Sequence, residues 1–298
     1  MQQAIEIPRK EGAAATQAAS SPAQRAQLQS EMMKYPERAQ EGSVLCWREG
    51  SVAHIRFNRP DALNAIDVPM ASAFLNACKE IAMDPKVRAV WMSAEGRAFM
   101  AGGDIAAMGS NPREVASDLI AGMHGGLRLL AKLEAPVVAS VQGAVAGGGL
   151  GLLLGGADLI VAAEGTRFGV AYPLIGASCD CSTSWSLPRI VGLHRALELA
   201  LLADNIDTTE AYRLGLCNRV VPADDLESET RRIVERLATG PTLAYGRLRR
   251  LMRESQNSSF REQLDAEAAA FHECAGTQDF LEGTAAFLEK RRPSFQGR

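Results

Sequence analysis

Two glycine-rich segments carry the residues best placed to do chemistry. They are Ala98-Phe99-Met100-Ala101-Gly102-Gly103-Asp104-Ile105 and Gly143-Ala144-Val145-Ala146-Gly147-Gly148-Gly149-Leu150-Gly151. Each follows an apolar run that predicts a strand, and each leads into a segment that predicts a helix. Backbone N–H groups at such turns are free to point at a ligand oxygen, and a helix N-terminus favours negative charge there. Two donors converging on one carbonyl oxygen make an oxyanion hole, which stabilises an enolate or a tetrahedral adduct. The same glycines also suit tight turns and close helix packing, so that reading stays open at this point. Neither segment is a phosphate loop or a dinucleotide fingerprint: no Gly-Lys-Ser/Thr follows, and the third glycine of G-x-G-x-x-G is missing.

The elements that must position these turns follow an alternating order. Val44 to Trp47 and Val52 to Phe57 predict a hairpin around Glu49-Gly50. Asp67 is placed to cap a helix over 68–83, with Pro69 in its first turn. Residues 87–93 predict the strand before the first glycine turn. A long helix over about 113–133 ends before Pro136, and strands follow at 137–141 and 159–163. This alternation argues for an α/β fold with parallel pairing. Residues 1–41 are rich in Ala, Gln and Ser and poor in large apolar groups. They predict a flexible N-terminal extension, with a short helix from Ser21-Pro22 through Lys34.

Composition narrows the classes of function. With 298 residues and 47% hydrophobic content the chain can bury a large core. A net charge of −3 and a pI near 5.9 give no basic field for nucleic acid. The longest apolar stretch, 137–163, is broken by Ser140, Gln142, Asp158 and several glycines, so no membrane span is expected. The six cysteines form no disulfide framework, and Cys179-Asp180-Cys181 has poor spacing for zinc, so no metal is expected. The start of the chain lacks a secretory pattern, and Glu6, Glu11 and Glu31 argue against an organellar presequence. A cytoplasmic protein with reduced thiols is the expectation.

The ordered pair of glycine segments resembles the crotonase (enoyl-CoA hydratase/isomerase) superfamily. The resemblance runs from about Val44 to Arg298. It includes Phe57-Asn58-Arg59-Pro60-Asp61-Ala62-Leu63-Asn64-Ala65, Ala135-Pro136-Val137-Val138-Ala139, Leu187-Pro188-Arg189-Ile190-Val191-Gly192 and Gly283-Thr284-Ala285-Ala286-Phe287-Leu288-Glu289-Lys290-Arg291. It implies a ββα superhelical core over 42–235 and a C-terminal helical region over 236–298 that serves as a lid or trimerisation element. It implies an acyl-CoA substrate, no cofactor beyond the coenzyme A of that substrate, and a homotrimer or hexamer. Lyase or isomerase chemistry in fatty acid metabolism is the corresponding expectation.

The resemblance also assigns roles. Gly103 and Gly148 match the two oxyanion donors. Ala62, Leu63, Ala101, Asp104 and Ile105 fall along the substrate, with Arg59 as a phosphate partner. Phe287 and Lys290 match C-terminal positions that meet the nucleotide of coenzyme A. The basic residue that often follows the first glycine motif is replaced by Ala106. Hydratases of the family use two glutamates around a water; the matching positions here hold Gly151 and Tyr172. Asp180 is the remaining carboxylate, at a position where isomerase branches place a proton shuttle and a dehalogenase branch places a nucleophile. An aspartate there is also a natural N-cap. His124 matches the water-activating histidine of the dehalogenase branch, or is a scaffold residue. Tyr172 and Trp185 are expected along the acyl group, or in the core. The leading expectation is enoyl-CoA double-bond isomerisation, with Asp180 as the single acid/base. The alternatives are hydration with atypical acids, nucleophilic chemistry of Asp180 on an aryl-CoA, and a non-catalytic CoA-binding paralogue.

Overall fold

The computed structural model describes residues 41–109 and 111–298. The expected N-terminal extension and its short helix lie outside these residues, apart from Glu41. The described chain is α/β. Six strands form the main sheet: β1 (Val44–Glu49), β2 (Val52–Phe57), β3 (Ala89–Ala94), β4 (Val137–Val141), β6 (Leu159–Ala163) and β8 (Arg219–Val221), in the order β1-β2-β3-β4-β6-β8. The β1–β2 pair is the antiparallel hairpin, and every later pairing in this sheet is parallel. All five residues of β4 are buried, as a central strand covered on both faces requires. Two short strands, β5 (Ala144–Ala146) and β7 (Arg167–Gly169), form a separate parallel pair.

Helices cover both faces of the main sheet. On one side lie α1 (Val68–Met83), α2 (Pro112–Lys132) and α3 (Gly148–Gly156). Asp67 caps α1 as its type and position predict, its side chain accepting from Met70 N at 2.8 Å. Phe57 of β2 meets Phe74 of α1 and Phe99 of the first glycine segment, with ring centroids 5.9 and 5.7 Å apart. The first glycine segment is therefore anchored in the core. The α1–α2 contact is close because α2 presents glycines: a Cβ on Gly122 would sit 2.7 Å from the backbone of Ala71, and one on Gly126 would enter the Phe74 ring. That approach sets where the rest of α2 lies.

Four helices follow: α4 (Thr183–Val191), α5 (Leu193–Leu202), α6 (Thr208–Arg213) and α7 (Leu226–Ala238). On the other face of the sheet, α7 packs Ile233, Val234 and Ala238 onto Val52, Trp91, Val138 and Val161. The chain closes with α8 (Thr242–Glu254), α9 (Phe260–Ala275) and α10 (Gln278–Leu288). Buried Arg249 of α8 ties this region to the sheet through Asp158 at 2.6 Å, and Arg253 adds a second bond to Asp158 at 2.9 Å. No helix among the described residues is long and apolar enough to cross a membrane.

Candidate active site

The two glycine segments lie side by side. Residues 99–104 run between the 63–66 turn and β5. Ala101 N donates to Leu63 O at 3.1 Å, Ile66 N to Gly102 O at 2.8 Å and Asp104 N to Ile66 O at 2.9 Å. On the opposite edge, Met100 N donates to Ala144 O at 3.0 Å and Ala146 N to Met100 O at 2.9 Å. Backbone groups alternate sides in such an extended segment. The carbonyl of Gly102 and the amide of Asp104 turn toward Ile66, so the Gly103 N–H turns the other way. A Cβ on Gly102 would lie 3.3 Å from Ala146 O and 3.7 Å from Gly147 Cα; only glycine admits this approach without displacement.

Gly147 precedes α3 with φ 51° and ψ −124°, and no side chain caps the helix. The amides of the first turn, beginning with Gly148, have no partner inside the helix. Gly103, Gly147 and Gly148 all line one cavity of about 350 Å³. Ala101 and Ile105 line it too. Met108, Ala116, Leu119, Ile120 and Met123 contribute apolar lining, and Tyr172, Leu174, Ile175, Cys179, Asp180 and Cys181 add to it. Asp180 is the sole charged side chain among the described lining residues.

Asp180 sits against the helix start. A Cβ on Gly148 would be 3.5 Å from Asp180 Oδ1 and 3.6 Å from Cys181 Sγ. The Tyr172 hydroxyl donates to the same Oδ1 at 2.5 Å. Burial pushes the Tyr172 phenol up, and the adjacent Asp180 charge and hydrogen bond push it further, so it remains a protonated donor. Burial and Asp180 likewise raise the Cys181 thiol, which stays neutral. The local chain is bent: Cys181 and Ser182 have φ of 47° and 76°, in the region L-residues enter at a cost. Ser182, not Asp180, is the N-cap residue of α4, and no side chain makes the cap bond. The capping role weighed for Asp180 is therefore not the one its carboxylate plays.

Other expected site residues are placed differently. His124 of α2 is half-buried, and its Nε2 accepts the Cys181 amide at 3.0 Å. It holds the turn that carries Asp180 and is not a lining residue. Asp104 pairs with Arg59 at 3.0 Å, and that hydrogen bond holds its carboxyl below the usual range. Arg59 also binds Asp67 at 3.1 Å and the Ala65 carbonyl. It is engaged within the protein rather than presented as a free phosphate partner. Ala62 and Leu63 form the turn beside the first glycine segment without lining the cavity. Trp185 projects to another surface, where Arg189 stacks on it at 4.2 Å. Phe287 lines a separate groove between α8 and α10, and Lys290 is exposed beyond it.

Two supporting features carried no separate signal in the sequence. Asn64, fully buried, donates to the carbonyls of Glu95 and Ala98 at 2.9 and 2.8 Å and accepts the Arg59 amide at 2.7 Å. Its φ of 55° suits asparagine, which tolerates the left-handed region. Gly151 lets α3 pack on the Asp180 turn: a Cβ there would meet Thr183 Oγ1, and the carbonyls of Cys181 and Asp180 at 2.7 and 2.9 Å. The missing glutamate at 151 is thus a packing requirement of this chain, legible in the sequence only as a glycine.

The family model for enoyl-CoA hydratase/isomerase matches residues 48–298. The chain is 32% identical over 259 residues to the 1,2-epoxyphenylacetyl-CoA isomerase of Escherichia coli, covering 86% of this chain and 98% of that one. It is 32% identical over 254 residues to the crotonyl-CoA hydratase of Syntrophomonas wolfei, covering 85% and 97%. A crystal structure of an enoyl-CoA hydratase from Mycobacterium smegmatis superimposes with a TM-score of 0.80 at 32% identity, covering 86% of this chain and 99% of that one. Fold, glycine turns and matched length agree: the chain belongs to the enoyl-CoA hydratase/isomerase family.

Proposed function

We propose that this enzyme moves the double bond of an enoyl-CoA thioester through an enolate, with Asp180 as its one acid/base. The observation that carries the reading is one carboxylate, the sole charged side chain among the described lining residues, set beside the start of α3 in a largely apolar cavity that Gly103 also lines. The Gly103 and Gly148 N–H groups take the thioester oxygen. Asp180 removes a proton from the α-carbon of a 3-enoyl thioester, and the electron pair moves onto that oxygen as a dienolate. The proton returns at the γ-carbon, which leaves the 2-enoyl thioester and restores the Asp180 carboxylate. Donors fixed in advance stabilise the developing charge without reorganising. A base at the reacting carbon supplies about 10²- to 10⁴-fold.

Hydration is disfavoured because the two positions that hold water-handling acids in hydratases hold Gly151 and Tyr172, and Gly151 has no room for a side chain. Nucleophilic chemistry with His124 as water activator is disfavoured because its Nε2 is engaged by the Cys181 amide. No cofactor beyond the coenzyme A of the substrate enters the scheme. The E. coli relative, named an isomerase, is in keeping with it. The test is incubation with matched 2-enoyl- and 3-enoyl-CoA in ¹⁸O-labelled water, read by mass spectrometry. Interconversion without ¹⁸O uptake supports the reading. Addition of water makes the protein a hydratase, and no change in either substrate favours a binding-only role.

A further inference from the structure

Tyr172 occupies the place where a hydratase holds its second acid, and its hydroxyl is already engaged within the protein. It donates to Asp180 Oδ1 at 2.5 Å and approaches the Asp180 carbonyl at 3.4 Å. The residue before it, Ala171, has φ 59°, and the Tyr172 amide bonds back to Val170 O at 2.8 Å. The backbone turn that delivers this phenol is thus specified independently of any ligand. On the other side, His124 fixes the Cys181 amide. Asp180 is held from two directions: its carboxylate by Tyr172 and its following peptide by His124.

We propose that Tyr172 is the positioning residue of the Asp180 base, its hydroxyl occupying Oδ1 so that the other carboxylate oxygen is left to act on the substrate carbon. This rests on the reading of Asp180 given above and deepens it. One working oxygen has a consequence. The oxygen that takes the proton must also return it, so a share of the substrate's own hydrogen is carried from the α- to the γ-carbon. With Tyr172 removed the carboxylate rotates, either oxygen can act, and the proton has more opportunity to exchange with solvent. The phenol also supplies the half-buried Asp180 carboxylate with a hydrogen-bond donor.

The test compares the wild type, Tyr172→Phe and Asp180→Asn on 3-enoyl-CoA carrying deuterium at the α-carbon, in ordinary water. Phenylalanine keeps the ring and the packing and removes only the donor. The proposal expects kcat to fall by about 10- to 100-fold in Tyr172→Phe, the value of one hydrogen bond to a charged group. It expects KM within about twofold and a smaller fraction of deuterium retained at the γ-carbon. A rise in KM at constant kcat, with retention unchanged, makes Tyr172 a wall of the acyl pocket and overturns the proposal. Full turnover in Asp180→Asn instead removes the reading beneath it. A measurement without substrate keeps the two separable: ¹³C NMR of ring-labelled tyrosine, with Tyr172 identified by its loss in Tyr172→Phe. Its signal moves in Asp180→Asn if the phenol binds the carboxylate in solution. An unmoved signal overturns the proposal whatever the enzyme catalyses.

Discussion

The glycine-walled site and the C-terminal helices solve opposite packing problems. Around the two glycine turns the chain buries its scaffold: all nine residues of α3 are buried and Asn64 is 0% exposed, while Ile105, Leu174 and Ile175 at the cavity's rim are 52%, 74% and 53% exposed. In the C-terminal region, α9 has no fully buried residue, and Phe260, Phe287 and Leu288 are 81%, 84% and 80% exposed. The first region holds the cavity. Its cavity is built from residues between Ile66 and Cys181. The second region is fastened to the core by Arg249 and Arg253 on Asp158, and by Arg88 on the carbonyls of Gly240 and Phe295, but it leaves its outer apolar side chains in the open. Substitutions near the site should therefore act on this chain's own stability, and substitutions on the outer helices should not.

Asn64→Ala gives the largest expected loss of stability. It leaves three backbone groups without their side-chain partner and puts alanine at φ 55°. The cost is about 2–5 kcal/mol, read as a lower denaturant midpoint; a change below about 0.5 kcal/mol breaks the contrast. Gly151→Glu comes next. It drives a side chain into the Asp180–Thr183 turn, costs about 1–3 kcal/mol of overpacking and confers no hydration. A gain of hydratase activity in this variant would show that the turn yields more easily than its packing implies.

Phe287→Ser should leave unfolding of the isolated chain within about 0.5 kcal/mol, as expected for an exposed site. A sharp, concentration-dependent fall in Tm would reveal that another chain covers this surface in solution. The smallest effect concerns acid. Arg291 and the Ser294 amide hold Glu282 down from 4.5 to about 2. A carboxyl lowered in the folded state contributes above its unfolded value and loses that contribution as the pH falls from about 4.5 toward 2. Hydrogen-exchange protection near the chain end, taken relative to the intrinsic rate at each pH, should fall over that interval in the wild type and change less in Glu282→Gln. The pair lies at the surface, with Arg291 exposed and Glu282 partly so, and salt should weaken the difference.

The parts of the site legible in the sequence were those set by local chemistry. The hairpin, the Asp67 cap, the helix over 68–83 and the strands at 137–141 and 159–163 follow from spacing and residue type, and the structure places them there. Gly103, Gly148 and Asp180 meet in one cavity. What the sequence did not disclose depends on long-range partners. Nothing local to His124 announces that it will accept an amide 57 positions away. Arg59 looks like a free cation until Asp67 and Asp104 fold onto it. Trp185 is near Asp180 in sequence, but it lies in the first turn of α4 against Arg189 and does not line the Asp180 cavity. A capping role for Asp180 fits its residue type; the left-handed Cys181 and Ser182 shift the cap by two residues and free the carboxylate for Tyr172.

The most direct test of the central claim is exchange of the α-hydrogens of a 3-enoyl-CoA in heavy water, followed by proton NMR with wild type and with Asp180→Asn. The account predicts rapid loss of the α-signal with wild type and a rate lower by about 10²- to 10⁴-fold in the variant, with both proteins binding the thioester equally. Exchange that continues at the wild-type rate in Asp180→Asn would contradict it, because some other group would then be the base.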